Sequence, residues 1–248
     1  MPPPTVHLVL DVGNTRTKAA LFREGRVLRW GTLASLPDFL KEDRPSAIVL
    51  GSVGAEDEAF RTRLETLAPL LEVTGATATP LRSAYASPST LGADRLANAV
   101  GGAALFPGRN VLVIDVGTCI TYDLVTAERQ YLGGAITPGV TMRAKAMNAY
   151  SARLPEVTLT DVPAPWGTTT EASLASGIHH GITSEMAGFI RATAYEHERP
   201  AVVITGGDAL RFVRALKSGI FADPLLTLRG LHAILQHHSP LDRPFRSP

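Results

Sequence analysis

Apolar residues along this chain gather in short continuous runs, broken by acidic, glycine-rich and proline-rich segments. Val6 to Leu10 is apolar but for His7 and partly β-branched, the mark of a buried strand. Thr17 to Arg23 and Arg26 to Gly31 predict a strand pair joined across Glu24-Gly25. Ala47 to Leu50 predicts a further short strand. Phe60, Leu64, Leu67 and Leu71 recur at helical spacing and predict one helix through that stretch. Residues 75–90, rich in Thr, Ser, Ala and Pro, read as loop. Gly92 to Phe106 predicts a helix, and its many Ala and Gly residues suit close approach to a second helix. Pro107-Gly108-Arg109-Asn110 then breaks the pattern.

After that break the opening repeats. Val111 to Ile114 predicts a buried strand ending in Asp115-Val116-Gly117-Thr118, as Val9-Leu10 leads into Asp11-Val12-Gly13-Asn14. At the same offset Leu21 matches Val125, Glu24 matches Glu128 and Leu28 matches Leu132. Two similar three-strand openings predict a duplicated α/β domain, divided as residues 1–107 and 108–239, with 240–248 as a loose tail. The second half continues with a proline-rich loop from Pro155 to Pro165. A long helix follows, whose stripe of Leu174, Ile178, Ile182, Met186 and Phe189 is core. Ala201 to Ile204 is a strand entering the turn Thr205-Gly206-Gly207-Asp208, and another helix comes after it.

Composition narrows the setting. The chain has 248 residues, 45% of them apolar, enough for a sizeable core. Its 24 basic and 23 acidic residues leave a net charge of +1, which gives no footprint for nucleic acid or a membrane surface. The single cysteine, Cys119, excludes an intramolecular disulfide and a cysteine-based zinc site. With no charged neighbour in sequence it reads as a small buried apolar residue. The run from Val6 to Leu10 is too short to cross a bilayer or to serve as a secretory signal, so the expected setting is a reducing cytoplasm. The seven histidines form no metal pattern, His179-His180 reading as a packed or solvated pair. Neither a Walker A sequence nor G-x-G-x-x-G occurs.

Four segments carry chemistry. In Asp11-Val-Gly-Asn-Thr-Arg-Thr-Lys18 a carboxylate closes a buried strand, Gly13 permits a tight turn and the approach of an anion, and Asn14, Thr15 and Thr17 offer donors. Lys18 offers a positive charge to phosphate. A carboxylate beside phosphate donors calls for a cation between them, and Mg²⁺ fits. Asp115-Val-Gly-Thr-Cys-Ile-Thr121 repeats that logic without the lysine; one such turn from each half could clamp a polyphosphate across a cleft. Gly92-Ala93-Asp94-Arg95 opens a helix. Asp94 there is either a first-turn carboxylate favoured by the helix dipole or a general base on a substrate hydroxyl, with Arg95 holding an acidic substrate or a phosphoryl oxygen. Thr205 to Asp208 could admit a flat base or ribose, or be only a turn. Thr169-Thr170-Glu171 is a helix N-cap on general grounds.

Together these segments resemble the type III pantothenate kinases. The matching residues are Asp11 to Lys18, Tyr85 with Gly92 to Arg95, Asp115 to Thr118, Gly133-Gly-Ala-Ile-Thr-Pro-Gly139, and Thr170 with Ser176-Gly-Ile178. They stand in family order over nearly the whole chain. The resemblance implies two similar ribonuclease-H-like domains of the actin-like ATPase superfold, each a mixed sheet flanked by helices, with the active site in the cleft between them. It implies ATP-dependent phosphorylation of the primary hydroxyl of pantothenate, the first step of coenzyme A synthesis. Asp11, Val12, Gly13, Asn14, Thr15, Arg16, Thr17 and Lys18 would hold the ATP phosphates, with Thr118 assisting and Asp11 meeting Mg²⁺ through them. Asp94 would accept the proton. Tyr85, Gly92, Ala93, Asp94, Arg95 and Thr170 would form the pantothenate pocket. Asp115 would bind a monovalent cation, potassium or ammonium. The resemblance also implies a homodimer in which Thr170 acts on its own or the neighbouring subunit's site. Cys119 and Ile120 depart from the Ala and second Thr common in the family, and Thr169 from its Asn. The alternatives are another small-molecule kinase of the superfold, or a catalytically reduced homologue acting as a regulator or binding protein.

Overall fold

The structure is a computed structural model, and it describes residues 5–13, 16–52, 58–216 and 219–238. Strands β1 (Val6–Val12), β2 (Thr17–Arg23) and β3 (Arg26–Thr32) form an antiparallel meander. β1 is mostly apolar because it is covered on both faces, with Leu8, Val9 and Leu10 fully buried. β3 lies at the edge and alternates, leaving Leu28 and Trp30 exposed. Glu24 and Gly25 make a two-residue turn with φ of 50° and 77°, whose twist matches the strands it joins. Helix α1 (Leu36–Glu42) leads to β4 (Ala47–Ser52), which runs parallel to β1. Helix α2 (Glu58–Glu65) leads to β5 (Leu70–Val73), parallel to β4. The single helix expected through Phe60, Leu64, Leu67 and Leu71 is therefore cut short. Pro69 lacks an amide proton and disfavours helical backbone at Ala68, so Leu71 falls in a strand. The sheet order is β3-β2-β1-β4-β5.

Residues 75–90 are mostly irregular, with one two-residue strand, β6 (Arg82–Ser83). Helix α3 (Ala93–Leu105) precedes a second meander, β7 (Val111–Val116), β8 (Cys119–Val125) and β9 (Gln130–Pro138). Then come α4 (Val140–Ala149), α5 (Thr170–Glu196), β10 (Ala201–Thr205), α6 (Ala209–Val213), β11 (Ile220–Ala222) and α7 (Leu226–His238). The second sheet runs β6-β9-β8-β7-β10-β11. Apart from β6 this is the first sheet's order again: an antiparallel meander whose first strand continues into two parallel neighbours.

The halves exchange elements. β6 pairs with β9, while α7 returns to the first sheet, where the Leu231 side chain lies against Gly51 of β4. α7 also packs tightly on α3: a Cβ at Gly230 would lie 1.8 Å from the Ala97 carbonyl oxygen, so the expected close helix contact is made, with α7 as the partner. Leu96, Val100, Leu228, Leu231 and Ile234 share one core cluster with Val9 and Val49. The stripe on α5 is core as expected, Ile182 and Met186 being fully buried and Phe189 stacking on Tyr122 at 4.0 Å. Glu185, on the same helix, accepts from Tyr122, Thr137 and Arg143 at 2.8, 2.7 and 2.6 Å, which fixes α5 to β8, β9 and α4. His179 is buried and stacks on Phe212, a packed residue as expected. Among the described residues no helix is long and apolar enough to cross a membrane.

Candidate active site

The first strands of the two meanders end in the two acid-and-glycine turns. Asp11 stands opposite Lys18 in the β1–β2 ladder, and Asp115 stands opposite Thr121 in β7–β8. The second turn is one residue tighter. Val12 pairs with Thr17 across four residues and Val116 with Ile120 across three, and the residue in register with Asp115 is a threonine rather than a lysine.

The two turns share one electrostatic environment. Burial raises the Asp11 carboxyl to about 7; Lys18 opposes the shift, and Asp115 and Asp94 add to it. Burial also raises Asp115 to about 6, against a hydrogen bond from Asn98, with Asp94 adding repulsion and Lys18 attraction. Asp94 on α3 and Lys18 on β2 thus act electrostatically on both turn carboxylates, and the Lys18 Nζ donates to the Pro224 carbonyl at 3.4 Å.

Each group has a local reason for its place. Gly92 is the N-cap of α3, so Asp94 lies in the first turn, its Oδ1 accepting the Arg95 N–H at 2.8 Å. Asp115 is braced on several sides. Asn98 Nδ2 donates to its Oδ2 at 2.8 Å, and Gly206, at φ 99°, lies so close that a Cβ would stand 2.5 Å from its Oδ1. Gly139, the N-cap of α4, donates to the Thr118 carbonyl at 3.0 Å, and a Cβ there would meet the Gly117 carbonyl oxygen at 2.3 Å. The Asp208 N–H donates to the Val116 carbonyl at 3.0 Å. Gly139 and Gly206 therefore bring backbone against the second turn. Cys119 opens β8 half-buried, less enclosed than its sequence surroundings suggest, because it sits at the turn itself.

Arg95 is buried and held in a polar cluster. Its Nε and Nη2 donate to Asp123 Oδ1 at 3.0 and 2.7 Å, and its Nη1 approaches the Tyr85 hydroxyl at 3.4 Å. Tyr131 donates to the same Asp123 oxygen at 2.7 Å. Burial opposes the Arg95 charge, but the Asp123 carboxylate holds its pKa above the usual value. Tyr85 stacks near Tyr131 and touches Gly133, tying residue 85 to Arg95 as the motif order suggested. A cavity of about 320 Å³ opens beside Gly92 and Ala93, between Ser52 at the end of β4 and Thr74 after β5.

Thr170 is the first residue of α5, capped by Thr169, whose hydroxyl accepts from the Ala172 N–H at 3.2 Å. It lines a different cavity of about 560 Å³ with Met147 and Leu154, and no described contact joins it to Asp94 within the chain. Asn14 and Thr15 lie outside the described residues, as does the tail expected from 240 onward. Arg16 is exposed, and Val12 and Thr17 are half-buried where β1 meets β2. Asp123, Asn98 and Thr227 lie outside the sequence motifs. An aspartate inside the apolar strand of residues 119–125 was the available signal for the first, since such a charge needs a buried partner. Asn98, one helical turn beyond Asp94, was the signal for the second.

Two mixed sheets of like order, each with an acid-bearing turn after its first strand, define the actin-like ATPase fold. Solved structures agree on the architecture. A Baf family transcriptional activator from Campylobacter jejuni superposes with a TM-score of 0.60 at 24% identity, covering 93% of this chain and 98% of that one. The activator of 2-hydroxyisocaproyl-CoA dehydratase from Clostridium difficile, solved with bound ADPNP, gives 0.55 at 13% identity, covering 99% and 100%. The chain belongs to the type III pantothenate kinase family, a family of phosphotransferases, whose model matches residues 7–192. A type III pantothenate kinase from Christiangramia forsetii is 39% identical over 238 residues, spanning 93% of this chain and 98% of the relative.

Proposed function

We propose that this chain transfers the γ-phosphoryl group of ATP to the primary hydroxyl of pantothenate, forming 4'-phosphopantothenate at the entry to coenzyme A synthesis. The observation that carries the reading is the convergence of Asp11, Asp94, Asp115 and Lys18, drawn from both halves, on one environment. Family membership supports the choice of acceptor.

Lys18 and the backbone amides of the first turn, residues 11–18, hold the phosphates, and Thr118 closes on them from the second half. Asp94 takes the hydroxyl proton late in an in-line transfer. Tyr85 and Arg95, with Gly92 and Ala93, receive pantothenate. Because Asp123 already balances Arg95, the arginine acts there as an oriented donor more than as a net charge.

The residues fit a cation. Burial pushes Asp11 and Asp115 toward neutral pH, with repulsion from other carboxylates adding to it and Lys18 opposing it, so further positive charge near them would favour their ionised forms. Asp11 would meet Mg²⁺ through the phosphates, and Asp115 a monovalent cation. Among the described residues no three His, Cys, Asp or Glu side chains group closely enough to hold a metal, so phosphate oxygens and water would complete the shell. When bound, Mg²⁺ neutralises charge on the phosphoryl oxygens.

Thr170 is exposed and faces a separate cavity, which suits service to the neighbouring subunit's site in a homodimer. Tyr150 and Trp166, near that cavity in sequence, are 93% and 88% exposed and supply apolar area for such contact. The setting is the cytoplasm. A coupled ADP-release assay with ATP and pantothenate, with and without Mg²⁺ and potassium, tests the reading. Turnover that needs pantothenate and Mg²⁺ is the expected result, and ADP release indifferent to pantothenate would overturn it.

A further inference from the structure

Asp115 is reached by a hydrogen-bond chain that starts on the last helix. The Thr227 hydroxyl on α7 donates to Asn98 Oδ1 at 2.9 Å, and Asn98 Nδ2 on α3 donates to Asp115 Oδ2 at 2.8 Å. Asn98 is 1% exposed and Thr227 5%, so water does not substitute for either partner. The chain has a direction. An amide presents one acceptor and one donor end, and Thr227 occupies the acceptor end, so the donor end must face Asp115. A flipped amide would set a carbonyl oxygen against a carboxylate oxygen inside the protein, which is costly. α7 has a fixed seat on α3 through Gly230 against Ala97, and Gly101 of α3 lies close to the Leu226 carbonyl, so the relay rests on a rigid helix pair.

We propose that Asn98 and Thr227 are positioning residues that hold the Asp115 carboxylate in the one orientation that serves the triphosphate side of the cleft. One oxygen of Asp115 is committed to Asn98, and the other lies against the backbone of Gly206, beside the second turn. Asp94 and Asn98 are four residues apart on α3, so one helix presents the acceptor-side carboxylate and the group that aligns the phosphate-side carboxylate. The inference rests on the proposed kinase reading, because it takes nucleotide to be bound at the Asp115 turn.

The test compares Thr227→Val, which keeps shape and removes the hydroxyl, with Thr227→Ser, which keeps the hydroxyl. Binding of ADP and of a non-hydrolysable ATP analogue is measured by calorimetry with Mg²⁺ and potassium, beside KM for each substrate. Thr227→Val should weaken nucleotide binding and raise KM for ATP by about three- to tenfold, the worth of one buried hydrogen bond, while Thr227→Ser stays within about twofold. KM for pantothenate should not move. A merely structural role would lower the melting temperature and leave nucleotide affinity at the wild-type value; that outcome sinks the proposal, as does an equal rise in both KM values. Should Thr227→Val fail to fold, Thr227→Ala gives the same comparison. If the wild type binds nucleotide but does not phosphorylate pantothenate, the acceptor assignment fails, and the affinities still judge the relay.

Discussion

Asp11 and Asp115 close equivalent strands in equivalent sheets, yet their turns are built differently. The first faces a lysine across its ladder and has one described backbone bond across the turn, from the Gly13 N–H to the Arg16 carbonyl at 3.1 Å. The second has no cation in register and is clasped by Asn98, Gly139, Gly206 and the Asp208 amide. The two sheets carry two versions of one backbone device, and packing makes them unlike. The first turn has a lysine in register; the second is a fixed wall, clasped by neighbours from three other segments, with Asn98 and Gly206 at its carboxylate. In the proposed mechanism the asymmetry is useful, because a phosphoryl group in transit needs one partner that follows its charge and one that keeps the geometry.

The largest expected effect falls on the carboxylate between the turns. Asp94→Asn should lower kcat by ~10²–10⁴-fold with the melting temperature little changed, and near-normal turnover would rule out its role as base. Lys18→Ala should follow, cutting kcat/KM for ATP by ~10²–10³-fold, since it removes a donor aimed at developing charge. If steady-state kinetics instead show a loss confined to pantothenate, the division of labour between the turns is wrong.

The pH dependence separates the turns more finely. With folded values of about 7 and about 6, Asp11 and Asp115 take up protons as the pH falls through that interval, so kcat/KM of the ligand-free enzyme should decline on that acid side. Stability moves the other way. Both carboxyls sit above the ordinary 3.8, so the folded chain binds more protons than the unfolded one between about pH 4 and 7, and their burial destabilises it increasingly as pH rises. Asp115→Asn should therefore gain on the wild type by roughly 2 kcal/mol from pH 4 to pH 7 in the absence of ligands. A pH-independent difference in denaturant midpoints would show that burial does not act on this carboxyl.

The smallest contrast is steric. Gly139→Ala presses a methyl into the Gly117 and Thr118 carbonyls and should cost about 1–3 kcal/mol. Among the described residues Gly13→Ala meets only the Arg16 carbonyl, at 3.2 Å, and should cost under about 1 kcal/mol. Equal losses in thermal melts would erase the difference in bracing.

By itself the sequence determined the parts whose physics is local. Strands buried on both faces are largely apolar, so β1, β7 and β10 could be read directly. The repeated Asp-Val-Gly ending marked the duplication, and Gly92 before Asp94 marked the start of α3. Pro69 carried its message too, although the apolar spacing on either side of it suggested one longer helix. What only the tertiary structure decided depends on residues far apart in the chain. Nothing near Asp115 announces that Asn98 and Thr227 will reach it, that Asp123 will claim Arg95, or that α7 will cross back to cover β1 and β4. Nor does either turn alone specify a carboxyl lifted to about 7, because that follows from burial and from charges brought together from separate elements. A hydrogen bond or a desolvation penalty is set by distance in space, and distance in space is what a periodicity along the chain does not record.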